Sequence, residues 1–268
     1  MQNEKAISRI REGGILQGPD QVESRLKQLQ ETCGFRFAPK AEYALIASCF
    51  NSYLEPADMT ALRKLLDHYN VDYSLLPKEY CCGDPFYLHA IDEQHEGDLE
   101  QADTLGREFL DQNIKQTGEL GADKLLVYCA GCDLVLNRIK TDSSLEIIWH
   151  PTLLSQLFKG GKLEIEADYY AGCHRYRRAL MGDTPDLDSV VAALNRIDGL
   201  HLNHLDSSLC CMNPDQLETL AASVKSHIVI TPCSGCSMFL RKALADKGDY
   251  RIFLLSEVLW AAIDQHQL

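Results

Sequence analysis

The sequence predicts an α/β protein of two pseudo-symmetric domains, each a mostly parallel sheet with flanking helices. Three observations predict it. Short apolar runs alternate with helical stretches, the same order of runs occurs twice, and most of the runs lead into cysteine. At 268 residues the chain is long enough for one large unit or for two domains of roughly 100 to 150 residues each.

Taken in order, the first half holds the runs YALIASC, ending at Cys49, and VDYSLLP, leading to Cys81 and Cys82. KLLVYC follows, ending at Cys129, and then LEIIW, ending at Trp149. The second half holds ADYYAGC, ending at Cys173, LHLNHL, leading to Cys210 and Cys211, IVITPC, ending at Cys233, and RIFLLS, ending at Ser256. Apolar runs of this length bounded by turn residues read as strands. Between them PADMTALRKLLDHY, LEQADTLGREFLDQNIKQTGEL and PDLDSVVAALNRI read as helices. Alternation of the two implies right-handed βαβ units on a parallel sheet.

The punctuation repeats too. CCGDP at 81–85 matches CCMNP at 210–214, CAGC at 129–132 matches CSGC at 233–236, and EIIWHPTLLSQLF resembles YRIFLLSEVLWAAI. Asp or Asn before Pro reads as an N-cap and first helical position, so each cysteine pair is expected on a loop just ahead of a helix. An internal duplication accounts for the match. Residues 1–40 form an N-terminal helical extension in which QVESRLKQLQETC is an amphipathic helix, packing on the first domain or on a partner. The first domain is assigned to 41–160 and the second to 161–268, with the boundary in FKGGKLE, where paired glycines interrupt the apolar pattern.

Composition excludes several functions. A net charge of −13 repels a phosphate backbone, so nucleic acid is not expected as a partner. No apolar run approaches the ~20 residues of a transmembrane segment. The first residues, MQNEKAISRIREGG, are charged and lack a signal-peptide core, so the expected location is cytoplasmic. Eleven cysteines in such a chain point to metal binding or redox chemistry rather than to structural disulfides.

In parallel α/β sheets, sites form at the carboxyl ends of the strands, so the cysteines of each half are expected to converge at one rim. The first set is Cys49, Cys81, Cys82, Cys129 and Cys132; the second is Cys173, Cys210, Cys211, Cys233 and Cys236. Cys33 has no counterpart and reads as a small buried hydrophobe. Structural zinc takes four ligands, which leaves a zinc-binding scaffold as a lesser alternative. An iron–sulfur cubane also takes four, so five thiolates with an adjacent pair suggest a larger, non-cubane cluster. Gly83 would permit the tight turn that an adjacent pair of ligands needs, although Met212 replaces it in the second copy.

GCHRYRRAL at 172–180 supplies His174, Arg175 and Arg178 directly after Cys173 in an otherwise acidic chain. These cations either offset an anionic cluster or grip an anionic thiol, disulfide or carboxylate substrate. His89, His95, His201 and His204 read as surface or packing residues. His150 falls at the rim, and Tyr80, Tyr128 and Tyr170 read as walls around the thiols.

The tandem pattern over residues 44–260 resembles the cysteine-rich CCG domain family, best known from heterodisulfide reductase. The resemblance implies that each five-cysteine set is a metal-ligand set holding a non-cubane [4Fe-4S] cluster. It also implies a small thiol or disulfide substrate and an oxidoreductase subunit that is active only with partners. Those partners would be a ferredoxin-like iron–sulfur subunit and a flavoprotein subunit, because the chain has neither a ferredoxin-type cysteine run nor a Gly-x-Gly-x-x-Gly of its own. The same domain occurs in lactate- or glycolate-oxidising and succinate-oxidising complexes, which makes an electron-transfer subunit the main alternative. Two departures stand out. Met212 occupies a family glycine, and 46 residues separate the adjacent pair from the Cys-x-x-Cys in the first half against 21 in the second.

Overall fold

The computed structural model describes residues 2–95, 97–140 and 144–265. An N-terminal segment comes first, with α1 (Gln2–Gly13), a 3-10 turn at Pro19–Gln21, α2 (Val22–Lys27) and a π-helical turn at Gln28–Thr32. The first half continues as β1 (Tyr43–Ile46), α3 (Asn51–Leu54), α4 (Pro56–His68), β2 (Tyr73–Leu75), α5 (Asp84–Glu93), α6 (Asp98–Glu119), β3 (Lys124–Val127), α7 (Ala130–Ile139), β4 (Glu146–Trp149) and α8 (His150–Leu157). The second half is β5 (Gly161–Tyr169), α9 (Arg175–Met181), α10 (Leu187–Leu194), β6 (Ile197–His204), α11 (Pro214–Ser223), β7 (Ile228–Thr231), α12 (Ser234–Leu244), β8 (Arg251–Leu254) and α13 (Leu255–Asp264).

Each half builds one four-stranded sheet, and the two sheets have the same order: β2-β1-β3-β4 and β6-β5-β7-β8. Every strand pair is parallel. The sequence explains why. Parallel strands joined by helices are covered on both faces, so they carry continuous apolar runs rather than alternating ones. Ala44, Leu45 and Ile46 of β1 and Leu125, Leu126 and Val127 of β3 are all buried. Replacing one of these leucines by alanine would cost about 2–5 kcal/mol, lost transfer energy plus the cavity left behind.

The chain divides into two compact units. The first comprises Met1–Pro56, Leu66–His150 and Tyr176–Pro185; the second comprises Ala57–Leu65, Pro151–Arg175 and Asp186–Leu268. Most of α4 therefore clusters with the second sheet, where the buried carboxylate of Asp58 accepts the backbone N–H of Glu257 near the start of α13. Most of α9 clusters with the first sheet, where Tyr176 Oη donates to Asp92 and Arg138 donates to the carbonyl of Leu180.

Several details depart from the sequence pattern. β5 begins at Gly161, six residues ahead of the ADYYAGC run, because Gly161 lies flat against α13; a Cβ there would sit 2.6 Å from the Ala262 carbonyl. The uneven spacing of the cysteines has a plain cause: α5 and α6 both lie between the adjacent pair and Cys129, whereas α11 alone fills that interval in the second half. The N-terminal segment packs on the first unit, with Leu29 and Cys33 buried and Cys33 Sγ 3.9 Å from the Pro56 carbonyl. Among the described residues no helix is long and apolar enough to cross a membrane.

Candidate functional site

In each sheet the chain runs from the second strand in spatial order outward to the first, then returns past it to the third. The connections thus diverge beyond the carboxyl ends of β1 and β3, and of β5 and β7, where open α/β sheets form their binding crevices. Cys49 follows β1 and Cys129 follows β3; Cys173 follows β5 and Cys233 follows β7. The adjacent pairs follow β2 and β6 on loops directly ahead of α5 and α11.

The first five thiols make one continuous chain of sulfur contacts, from Cys49 to Cys81, Cys82, Cys132 and Cys129. Hydrogen bonding to Cys81, together with burial, holds the Cys49 thiol well above its ordinary range. Cys129 is pushed down to about 6, chiefly by its hydrogen bond with Cys132 against the opposing effect of burial. It is the N-cap of α7, and the backbone N–H groups of Cys132 and Gly131 point at its sulfur. Thiolates are favoured at such helix starts. Cys82 is lowered as well, by hydrogen bonds with Cys132 and then Cys81.

In the second set Cys211 Sγ and Cys236 Sγ are 3.4 Å apart, Cys236 also meets Cys233, and Cys173 meets Cys210. Burial raises Cys173 to about 11, opposed by the Arg175 backbone N–H. Cys211 is lowered by Cys236, with the charge of Arg175 acting in the same direction. Tyr170 stands in the middle of these thiols, fully buried, and its hydroxyl donates to the Leu209 carbonyl at 2.5 Å.

Among the described residues no three or more His, Cys, Asp or Glu side chains form a ready cage for a single metal ion. The fit to a larger group rests on the donor set. Each half offers five sulfurs from three loops at one rim, with Cys82, Cys129 and Cys211 biased toward thiolate. Soft thiolates from separate loops are the donors that iron–sulfur clusters take.

The adjacent pairs turn differently in the two halves. Gly83 has φ 90°, a left-handed conformation that glycine adopts without strain, and it caps α5 in place of Asp84, the expected N-cap. The Asp84 carboxyl instead lies against Gly131, within 2.8 Å of where a Cβ would stand. In the second half Asn213 does cap α11, accepting from the N–H of Gln216, and Met212 has no positive φ. The glycine of the first copy is thus a conformational need that the second copy does not have.

The cations of GCHRYRRAL separate. His174 has φ 46° and its Nε2 is 2.8 Å from the Ala171 carbonyl, within its own turn. Arg175 clusters with the second unit, where its charge reaches Cys211; Arg178 clusters with the first and is exposed. Arg177, which the sequence pattern did not single out, donates to Asp133 beside Cys132 and to Asp183. His150 is buried behind the first set, stacked on Tyr128 with ring centroids 4.8 Å apart, and burial lowers it to about 3, so it is neutral. His89, His95, His201 and His204 are exposed and belong to neither sulfur chain.

Sequence reasoning passed over the groups that hold the first set's loops. Asn113 of α6 bonds both backbone groups of Tyr80, Gln116 bonds both of Lys78, and Glu79 between them is buried. Their only sequence signal is the length of the first interval.

A five-thiol rim on a parallel α/β sheet, present twice, defines the class: a cysteine-rich protein whose sulfurs gather at the strand ends. The comparisons agree: residues 43–137 match the family model described as the CCG cysteine-rich domain. The chain is also 24% identical over 237 residues to one of the subunits of the dihydromethanophenazine:CoB--CoM heterodisulfide reductase of Methanosarcina mazei. That alignment covers 78% of this chain and 55% of the relative, so the chain spans about half the length of the curated relative it matches.

Proposed function

We propose that the protein is the iron–sulfur subunit of a heterodisulfide-reductase-like complex, binding one non-cubane [4Fe-4S] cluster in each half. The observation that carries this reading is the convergence of five thiols at the switch point of each sheet. Cys49, Cys81, Cys82, Cys129 and Cys132 would hold the first cluster, and Cys173, Cys210, Cys211, Cys233 and Cys236 the second. Clusters bound there would supply the one-electron steps that reduction of a disulfide, or oxidation of two thiols, requires.

The chain's own residues supply the surroundings. The start of α7 presents the backbone N–H groups of Gly131 and Cys132 to the Cys129 sulfur, and burial of the adjacent pairs keeps water from them. Arg175 brings positive charge to the second set, where it offsets thiolate charge. A ferredoxin-like subunit, with a flavoprotein behind it, would deliver electrons in the complex. The resemblance to one component of a heterodisulfide reductase supports such partners.

The test is electron paramagnetic resonance of the anaerobically purified chain titrated with small thiols and disulfides. Thiol-dependent changes in the cluster signals are expected. Clusters that exchange electrons with a partner yet ignore every thiol and disulfide would instead make the chain an electron relay.

A further inference from the structure

The two cysteines that open the sets, Cys49 and Cys173, each follow a residue in the left-handed region. Gly172 has φ 93° and Ser48 has φ 74°. Glycine adopts that conformation freely, whereas serine is strained there and persists only where its surroundings over-determine it. Gly172 cannot be otherwise, since a Cβ would lie 2.9 Å from His174 Nε2 and 3.4 Å from Cys236 Sγ. Something must hold Ser48.

What holds its backbone comes from outside the repeat, while its hydroxyl meets the Cys129 sulfur within the set. Arg25, on α2 of the N-terminal segment and 4% exposed, donates from Nε and Nη2 to the Ser48 carbonyl at 3.2 and 2.8 Å. The same Nη2 is 2.6 Å from Glu79 Oε2, which also accepts the backbone N–H of Ala47 at 2.8 Å. One buried ion pair therefore grips the Ala47 N–H and the Ser48 carbonyl and ties this turn to the loop that carries Cys81. Three neighbouring contacts reinforce the grip: Gln17 Nε2 to the Cys49 carbonyl at 2.8 Å, the Leu16 N–H to the Cys49 sulfur, and the Cys81 N–H to the Gly14 carbonyl at 2.7 Å.

We infer that Arg25, with Glu79, is the positioning pair of the first thiol set, and that the segment Gly14–Arg25 makes that set conditional on the extension. The second set has no such dependence. The inference borrows from the proposed function only the identity of what the thiols hold, and its test is read first on the metal-free chain.

Arg25→Leu alone would strand the Glu79 charge in the interior and could unfold the unit. The informative variant is Arg25→Met with Glu79→Gln, which removes both charges and nearly conserves volume. Alkylation of the reduced, metal-free chain with iodoacetamide, followed peptide by peptide by mass spectrometry, gives the readout. Cys49 and Cys81 are expected to react roughly tenfold faster than in the wild type, with Cys173 and Cys210 unchanged. Adding Ser48→Gly to the double variant should restore most of the protection, because glycine needs no clamp at φ 74°.

After anaerobic reconstitution, the double variant should lose the first set's share of iron and sulfide, and the Ser48→Gly version should regain it. Unchanged alkylation at Cys49, or enhancement that Ser48→Gly does not reverse, overturns the inference. A wild-type chain that takes up no iron but shows the predicted alkylation pattern overturns the iron–sulfur reading and supports the clamp.

Discussion

The two thiol sets share a layout and differ in what holds it. The first is braced from beyond its own repeat: Arg25 and Gln17 of the N-terminal segment fix the Cys49 loop, and Asn113 and Gln116 of the added helix α6 fix the backbone ahead of Cys81. The second is held by its own elements. Gly172 supplies the left-handed turn, the Tyr170 hydroxyl bonds Leu209, Gln216 of α11 accepts the Cys210 N–H, and Asn213 caps that helix. A duplicated cysteine pattern thus fixes where the sulfurs fall, while the scaffolding behind each copy is free to diverge.

Breaking the brace of the first set should have the largest effect. Arg25→Ala leaves Glu79 charged and unpaired in the interior, a loss of about 3–5 kcal/mol when one partner of a buried pair is removed. Urea unfolding followed by exposure of Cys49 should show this loss, whereas the transition that exposes Cys210 should hardly move. Equal shifts in both would deny the division between the two sets.

The converse change sharpens the comparison. Gly172→Ala forces a Cβ against His174 and Cys236 in a left-handed residue, a strain of about 1–3 kcal/mol. It should deplete metal from the second set alone. Ser48→Gly in the wild type is expected to leave Cys49 and Cys81 as protected as before, removing only the hydroxyl's contact with Cys129. Next in size is the cap, where Asn213→Ala should cost α11 about 1 kcal/mol, measured as a lower thermal midpoint for the second unit.

The smallest expected effect is acid sensitivity of the first unit. Burial raises the Asp103 carboxyl, but the fork of Arg138, the Tyr87 hydroxyl and the charge of Arg107 together hold it below its ordinary value. A depressed acid contributes stability that is present above its unfolded pKa of about 4 and is lost as pH falls through the folded value. The pair is partly exposed, so the contribution is modest. Asp103→Asn should therefore flatten the stability-versus-pH curve below about pH 4 and leave the second unit's curve unaltered.

Much of this was legible in the sequence, and for physical reasons. All eight strands overlap the apolar runs that predict them, most plainly at β1, β2, β3 and β7, where burial on both faces calls for uninterrupted apolar residues. The five-thiol sets followed from cysteines that end those runs. The brace was not legible. Arg25 lies in QVESRLK like any solvated face of an amphipathic helix, and its partner Glu79 is 54 positions away. Nor was the role of Arg177, since the seven-residue α9 starts just after the left-handed His174, and nothing in the letters sets the phase that directs Arg177 to Asp133.

The central claim is that ten cysteines form two separate cluster sites, and iron and acid-labile sulfide per chain test it most directly. Measured after anaerobic reconstitution, the wild type should hold about eight of each, Cys82→Ser and Cys211→Ser about four each, and Cys33→Ser about eight. Stoichiometric zinc without sulfide in the wild type, or loss of all iron from either single variant, would contradict it.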